Sequence, residues 1–314
     1  MTDHSRPESA RADGSARARR ALERGVRDST KAVIRTFGTT TAALRTPPDF
    51  LIIGAKRGGT TSLWNWLLQH PACLPMLPAR QHRKSNHYFY WHFDRGPRWY
   101  RGFFASAATR RLTERRLGGP VVTGEASPYY MFDPRVPQRV AAELPDVKII
   151  ILLRDPVDRA ASHHRERTRA GVEPLPFAEA LAAEEGRLAG ELERIAADPF
   201  YYSRPHDWYS YRSRGIYAPQ VAAWQAVVPP ERTLILPSEQ MYADPRATFD
   251  TVTDFLGVGR IEELRAKRYN YHQHEDMPTS VRAELTEFYR AHNRSLFELV
   301  GRDLGWTQQA RDPG

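Results

Sequence analysis

Four large apolar residues in a row, Phe50, Leu51, Ile52 and Ile53, run straight into Gly54-Ala55-Lys56-Arg57-Gly58-Gly59-Thr60-Thr61-Ser62. Successive side chains of a strand point to opposite faces, so an unbroken apolar run implies cover on both faces, the condition of a buried parallel strand. Leu63, Trp64, Leu67 and Leu68 then recur at helical spacing. The segment reads as a β-loop-α unit. A second unit begins at Val147, where an apolar run to Leu153 (broken only by Lys148) ends in Arg154-Asp155-Pro156 and passes into a polar helical stretch through Ser162 to about Arg169. Two such units predict an α/β fold: one parallel sheet with helices on both faces. Val121 to Thr123 and Thr233 to Leu236 are candidates for further strands. Tyr217 to Ala226, Pro245 to Leu256 and Thr279 to Val300 read as helices.

The glycine-rich turn has a chemical consequence. Backbone N–H groups converge in such a turn, the glycines let an anion approach, and the helix N-terminus adds partial positive charge. Lys56, Arg57, Gly58, Gly59, Thr60, Thr61 and Ser62 are therefore candidates for holding a phosphate-like group. The nucleotide triphosphate loop needs Gly, four residues, then Gly-Lys-Ser or Gly-Lys-Thr; here Gly59 is followed by Thr60 and the lysine stands at 56. A P-loop kinase or NTPase is thus a rival reading that lacks its motif. At the end of the second strand, Arg154 and, two helical turns on, Ser162 can flank a second anion. Carboxyl ends of neighbouring strands share one crevice, so two anion sites there imply a ligand with two separated phosphates. An ion pair of Arg154 with Asp155 or Asp158 is the alternative for that arginine.

Together these residues resemble the sulfotransferases that use 3′-phosphoadenosine-5′-phosphosulfate, in particular the carbohydrate branch that includes heparan sulfate sulfotransferases and bacterial relatives. The resemblance spans about Pro48 to Trp306. Its 5′-phosphosulfate loop is similar to Lys56 through Ser62, and its 3′-phosphate site to Arg154-Asp155-Pro156 continuing through Arg159 to Ser162. Lys84-Ser85-Asn86-His87-Tyr88-Phe89, Gly124-Glu125-Ala126-Ser127-Pro128-Tyr129-Tyr130 and Asn293 to Trp306 agree with it, and Tyr217 falls where the family starts a helix. The resemblance implies a P-loop-like sheet, a phosphosulfate donor, 3′-phosphoadenosine-5′-phosphate as product, no metal, and a carbohydrate or glycosylated acceptor with a hydroxyl or amine. Two departures stand out. Ser85 occupies the place of the glutamate regarded as the family's base, and Tyr269 to Met277 lacks the Lys-Gly-Arg element that closes over the adenosine phosphates, leaving Arg282 or Lys267 as substitutes.

Sulfuryl transfer needs an acceptor in line with a leaving phosphate and stabilisation of the charge that builds on the leaving oxygen. Lys56 is suited to that charge. His87 and Glu125 are the candidate bases, since His titrates near neutrality and a carboxylate can accept a proton. His87 is equally readable as a histidine within an aromatic core of Tyr88, Phe89 and Trp91, and Glu125 as a buried partner for an arginine. If nothing replaces the missing glutamate, the chain would be a non-catalytic binder of adenine nucleotide. The aromatic residues between 87 and 104 read mainly as core. His163 and His164 suggest extra anion contacts rather than metal, because no carboxylate or cysteine joins them at ligand spacing.

Composition sets the remaining bounds. The single cysteine, Cys73, excludes an intramolecular disulfide and suits a reducing compartment, and no apolar run approaches the roughly 18 to 20 residues of a membrane span. With no secretory pattern at the N-terminus, cytoplasmic residence is the expectation. Residues 1–47 hold nine Arg and one Lys against five Asp or Glu, so the other 267 residues carry only +4 of the total +9. That division describes a mostly disordered basic arm, 1–47, with a short helix at Ala21 to Phe37, ahead of a single domain at 48–308. The arm is a candidate for weak contact with an anionic membrane or polysaccharide, and nucleic acid is not expected. Val172 to Arg214, long, charged and aromatic with a helical stretch at about Phe177 to Ala196, interrupts the αβ alternation as a candidate lid or substrate-facing insertion.

Overall fold

The computed structural model describes residues 36–79, 83–269 and 277–306. Most of the expected arm, its short helix before residue 36, and the segment Asn270 to Asp276 lie outside the described residues.

Five parallel strands form one sheet: β1 (Phe50–Gly54), β2 (Cys73–Leu74), β3 (Val122–Ala126), β4 (Lys148–Leu153) and β5 (Thr233–Pro237), in the order β2-β3-β1-β4-β5. Every residue of β1 and β3 is buried, as are all of β4 after Lys148. Because alternate residues face opposite sides, this burial means that helices cover both faces. The helix Thr60–Leu67 leaves β1 and buries Leu63, Trp64, Trp66 and Leu67. The helix Pro156–Arg169 leaves β4, capped by Asp155, whose side chain accepts from the amides of Val157 and Asp158 at 2.8 and 3.2 Å. Burial pushes the Asp155 carboxyl up to about 6, with Asp158 nearby acting in the same direction. The helices Pro245–Leu256 and Thr279–Val300 have the limits read from the sequence. Among the described residues no helix is long and apolar enough to cross a membrane.

The chain passes from β1 towards β2 and β3 on one side, then crosses β1 to place β4 and β5 on the other. The loops after β1 and β4 therefore diverge from adjacent strand ends, and the crevice of a doubly wound sheet opens there.

Residues 172–214 contain four short helices, Phe177–Ala182, Glu184–Leu188, Glu191–Ala197 and Arg204–Tyr209. Too short to stand alone, they are tied down by three buried carboxylates. Glu173 takes Arg187 and the Tyr211 hydroxyl (2.5 and 2.8 Å), Glu184 takes the amides of Arg212 and Ser213 (2.6 and 2.8 Å), and Glu191 takes Tyr201 and Ser203 (2.8 and 2.5 Å). Charge-assisted bonds of this kind are worth about 1.5 to 3 kcal/mol each. They fold the segment back on itself, and Asp207 of its last helix then meets Lys56 of the β1 loop at 3.5 Å.

Candidate active site

The turn after β1 is built by close approach. A side chain at Gly58 would meet the Leu152 carbonyl at 2.6 Å and that of Ala55 at 3.0 Å, so only glycine lets the loop lie against β4. Gly59 has φ 92°, and a Cβ there would meet Met241 and Tyr242 at 2.6 and 2.9 Å. The Ala55 amide donates to Leu152 O (2.6 Å) and Ser238 Oγ to Gly58 O (2.5 Å), fixing the loop to β4 and to the helix after β5. Arg57 sits at φ 72°, a conformation that costs a residue with a side chain about 1 kcal/mol or more.

Above this turn lies a cavity walled by Lys56, Arg57, Lys84, Arg154, Arg165, Arg169 and Arg268, with Glu166 as its one carboxylate among the described residues and Gly59, Thr60, Thr61, Ser162, Tyr242 and Tyr269 between them. Seven cations against one carboxylate leave an anion as the only chemically reasonable guest. Lys84 Nζ donates to Thr61 Oγ1 (2.9 Å), and Arg57 Nε donates to Ser162 Oγ (3.0 Å), which joins the two loops. Arg57 also faces Glu166 at 3.8 Å, and Glu166 pairs with Arg167 at 3.2 Å. Arg154 donates only to Arg57 O (3.4 Å) and makes no ion pair among the described residues. Asp155 is occupied as a helix cap and Asp158 by Arg282 (2.9 Å), so the alternative reading of Arg154 does not apply. Arg165 and Arg169, missed in the sequence, follow Ser162 by three and seven residues on the same helix face. Burial pushes Lys56 and Lys84 down to about 8, a cost that an anion between them would relieve.

Of the residues expected to bind the donor, Lys56, Arg57, Gly59, Thr60, Thr61, Arg154 and Ser162 meet in this wall. Three stand behind it. Gly58 packs on β4; Ser62 pairs with the Tyr242 hydroxyl and accepts from the Tyr269 amide (both 3.0 Å); Tyr217, buried, donates to the Arg154 carbonyl (3.0 Å) and so holds the end of β4. Arg268 and Tyr269, rather than Arg282 or Lys267, border the cavity. His163 and His164, expected to add anion contacts, are not among the residues that line the cavity. His163 is wholly buried with its ring 5.0 Å from that of Tyr211, and His164 meets Leu175 O at 2.8 Å.

The two candidate bases are also placed behind the wall. Glu125 is 0% exposed at the end of β3; its carboxylate accepts from Ser85 Oγ, the Asn86 amide and Tyr130 on one oxygen and from Tyr100 on the other, at 2.8 to 3.1 Å. Among the described residues no arginine pairs with it, unlike the alternative reading; burial pushes its carboxyl up, and four donors oppose that push. His87 lies at φ 59° with Nδ1 facing Tyr90 Oη (2.8 Å) and Ser85 Oγ (3.2 Å). Burial pulls it down to about 4, so it is neutral at pH 7. Lys56 faces a third carboxylate that sequence reasoning missed: its Nζ is 3.5 Å from Asp207 Oδ1. Arg214 lies 3.2 Å from the same oxygen, and the Tyr202 hydroxyl donates to Oδ2 (2.9 Å). Most of the aromatic crowd is core, as expected, but Trp91 is 46% exposed and stacks on Tyr202 at 4.7 Å and 9°.

Fold and cavity thus define an α/β protein with a cation-lined cavity across the loops after two adjacent strands of its sheet, β1 and β4. The chain belongs to the sulfotransferase domain family, whose profile matches residues 47–295. It is 29% identical over 283 residues to the mouse (Mus musculus) heparan sulfate glucosamine 3-O-sulfotransferase 6, covering 82% of this chain and 73% of that one. To the human (Homo sapiens) heparan sulfate glucosamine 3-O-sulfotransferase 3B1 it is 28% identical over 285 residues, covering 82% and 65%. Among solved structures, a sulfotransferase from Alicyclobacillus acidocaldarius superposes with a TM-score of 0.62 at 31% identity, covering 84% of this chain and all of that one. The protein is a sulfotransferase of the class that depends on 3′-phosphoadenosine-5′-phosphosulfate. A kinase or NTPase reading is set aside.

Proposed function

We propose that the cavity holds 3′-phosphoadenosine-5′-phosphosulfate and that the chain moves its sulfuryl group to a carbohydrate hydroxyl. The observation that carries the donor half is the pairing of two cation sets in one cavity, Lys56 of the β1 loop with Lys84 of the segment after β2, and Arg154 at the end of β4 with Arg165 and Arg169 on the helix that follows. A ligand with phosphates at both ends of an adenosine satisfies both sets, and Gly59 leaves room that a Cβ would fill. When bound, the donor supplies an activated sulfur whose bond to a phosphate oxygen can break. Lys56 neutralises the charge that gathers on that oxygen, and loss of such a group costs about 3 to 4 kcal/mol of barrier. The Gly59 to Thr61 turn and the Thr61 hydroxyl, oriented by Lys84, bind the same end. Arg57, bonded to Ser162, joins this end to the other.

The acceptor half is supported by the relatives, whose names specify a glucosamine of heparan sulfate, and by the open stack of Trp91 on Tyr202 beside Lys56 and Asp207, a surface on which a sugar face can rest. The test is transfer of radiolabelled sulfuryl from the donor to N-sulfated heparan sulfate against a simple phenol. Label on the polysaccharide is the expected result; label on the phenol alone would overturn the carbohydrate reading.

A further inference from the structure

We propose that the Asp207 carboxylate, carried to the crevice by the 172–214 segment, is the catalytic base that takes the proton from the acceptor. The proposal rests on the sulfuryl-transfer reading above. Ser85, at the place where the family resemblance implies a glutamate, cannot take a proton unaided, and the three titratable groups nearby, Glu125, His87 and Asp207, differ in what they have free. Glu125 is sealed in the core with both oxygens engaged by Ser85, Asn86, Tyr100 and Tyr130. His87 has Nδ1 against two hydroxyls and only Nε2 left to take a proton, and none of its described contacts reaches Lys56. Asp207 remains 14% exposed and directly faces the lysine that serves the leaving oxygen, at 3.5 Å. Its Oδ2 takes one bond, from Tyr202, and keeps lone-pair capacity for an acceptor O–H. Tyr202 in turn carries the exposed Trp91 on its ring, so the carboxylate stands at the edge of the surface assigned to the acceptor.

The charges around Asp207 supply the timing. Lys56, Arg214 and Tyr202 contact it from the β1 loop and the insertion, and His87, Tyr90, Tyr129 and His206 lie within its electrostatic reach. Burial alone would push the carboxyl up, but Lys56, Arg214 and the bonds from Tyr202 and Arg214 hold it well below the usual carboxylate range. As Lys56 turns to the leaving phosphate oxygen, Asp207 loses one cation and gains proton affinity where the proton is released. In the step itself the acceptor oxygen forms its bond to sulfur and the bond between sulfur and the bridging phosphate oxygen breaks. That electron pair departs on the phosphate, and the acceptor's proton passes to Asp207, which returns it to solvent.

The experiment compares wild type, Asp207→Asn and Asp207→Glu, following 3′-phosphoadenosine-5′-phosphate formed from the donor with water as sole acceptor and with heparan sulfate, beside calorimetric binding of that product. Asp207→Asn should lose about 10²- to 10⁴-fold in kcat with either acceptor, at a donor KM within about threefold of wild type. It should bind the product as tightly as wild type or more so, because Lys56 is no longer tied to a carboxylate. Asp207→Glu should recover at least about tenfold over Asp207→Asn. Turnover of Asp207→Asn within about threefold of wild type would overturn the proposal, as would a loss of product affinity above about tenfold, the signature of mere support for the donor site. Tyr202→Phe tests the same point with the ion pairs intact: the acid limb of its kcat profile should move to higher pH, and an unmoved limb would count against Asp207. Failure of the wild-type protein to bind the product would instead remove the reading on which the proposal stands.

Discussion

Raising the pH from 7 to 9 should strip the donor site of its affinity while the protein stays folded. The cause is a pair of half-buried lysines in the cavity wall, Lys56 and Lys84, each pushed down to about 8 chiefly by desolvation. A lysine with that value is about 90% charged at pH 7 and about 10% at pH 9, so each should cost an anionic ligand about tenfold in affinity over the interval. The two together give about 100-fold, or about 2.7 kcal/mol. The sign follows from the ligand: an anion binds the protonated lysines, so binding takes up protons and weakens as pH rises through 8. Titration calorimetry of 3′-phosphoadenosine-5′-phosphate at fixed ionic strength measures the affinity. Repeating it at pH 8 in buffers of different ionisation heat measures proton uptake, about one proton for two half-charged lysines. Lys56→Arg, whose charge does not titrate here, should halve the logarithmic fall. An affinity that is flat from pH 7 to 9 with no proton uptake would refute the placing of two desolvated lysines at this site.

Other changes separate wall from support. Gly58→Ala, whose Cβ meets the Leu152 carbonyl at 2.6 Å, should lower stability by about 1 to 3 kcal/mol in thermal unfolding and abolish product binding, because the loop can no longer lie against β4. Glu125→Gln should lower the melting temperature, because the amide keeps one acceptor oxygen for Ser85, Asn86 and Tyr130 but turns an NH2 group towards the Tyr100 hydroxyl, yet leave product affinity within about threefold, since the side chain stands behind the wall. A Glu125→Gln protein of normal stability that no longer turns over would make Glu125 the base instead. Arg282→Ala breaks an exposed pair with Asp158, worth under about 1 kcal/mol, and should leave product affinity unchanged by calorimetry.

The two β-loop-α units were legible because burial on both faces demands an unbroken apolar run, and glycine is forced wherever a loop must lie on a neighbouring strand. Pro245–Leu256 was equally plain: Asp244 and Pro245 announce its start and Gly257 its end. Helix Ala107–Leu117 has caps at Ser106 and Gly118, but its interior, Ala-Ala-Thr-Arg-Arg-Leu-Thr-Glu-Arg-Arg-Leu, buries no residue and so shows no apolar stripe. Strand β2, two residues at the sheet edge, is too short to carry a pattern. In the site, residues on the two loops announced themselves by type and place. Arg165 and Arg169 could have been added by counting along the helix from Ser162. Glu125 was legible as a carboxylate at a strand end, but its burial was not, because its partners Ser85, Tyr100 and Tyr130 are brought to it only by the fold. Asp207 was hidden for the complementary reason: it reaches Lys56 across 151 residues, on a segment whose path is set by three buried carboxylates rather than by periodicity.

The central claim, a donor site for a bisphosphorylated adenosine, is tested most directly by titrating the protein with 3′-phosphoadenosine-5′-phosphate and, separately, with ATP and magnesium, then repeating both with Arg154→Ala. The account predicts tight, magnesium-independent binding of the product, weaker by about 10- to 100-fold in the variant, where one charge-assisted contact is lost and no internal ion pair is broken. Preference for magnesium ATP, or product binding indifferent to Arg154, would contradict it.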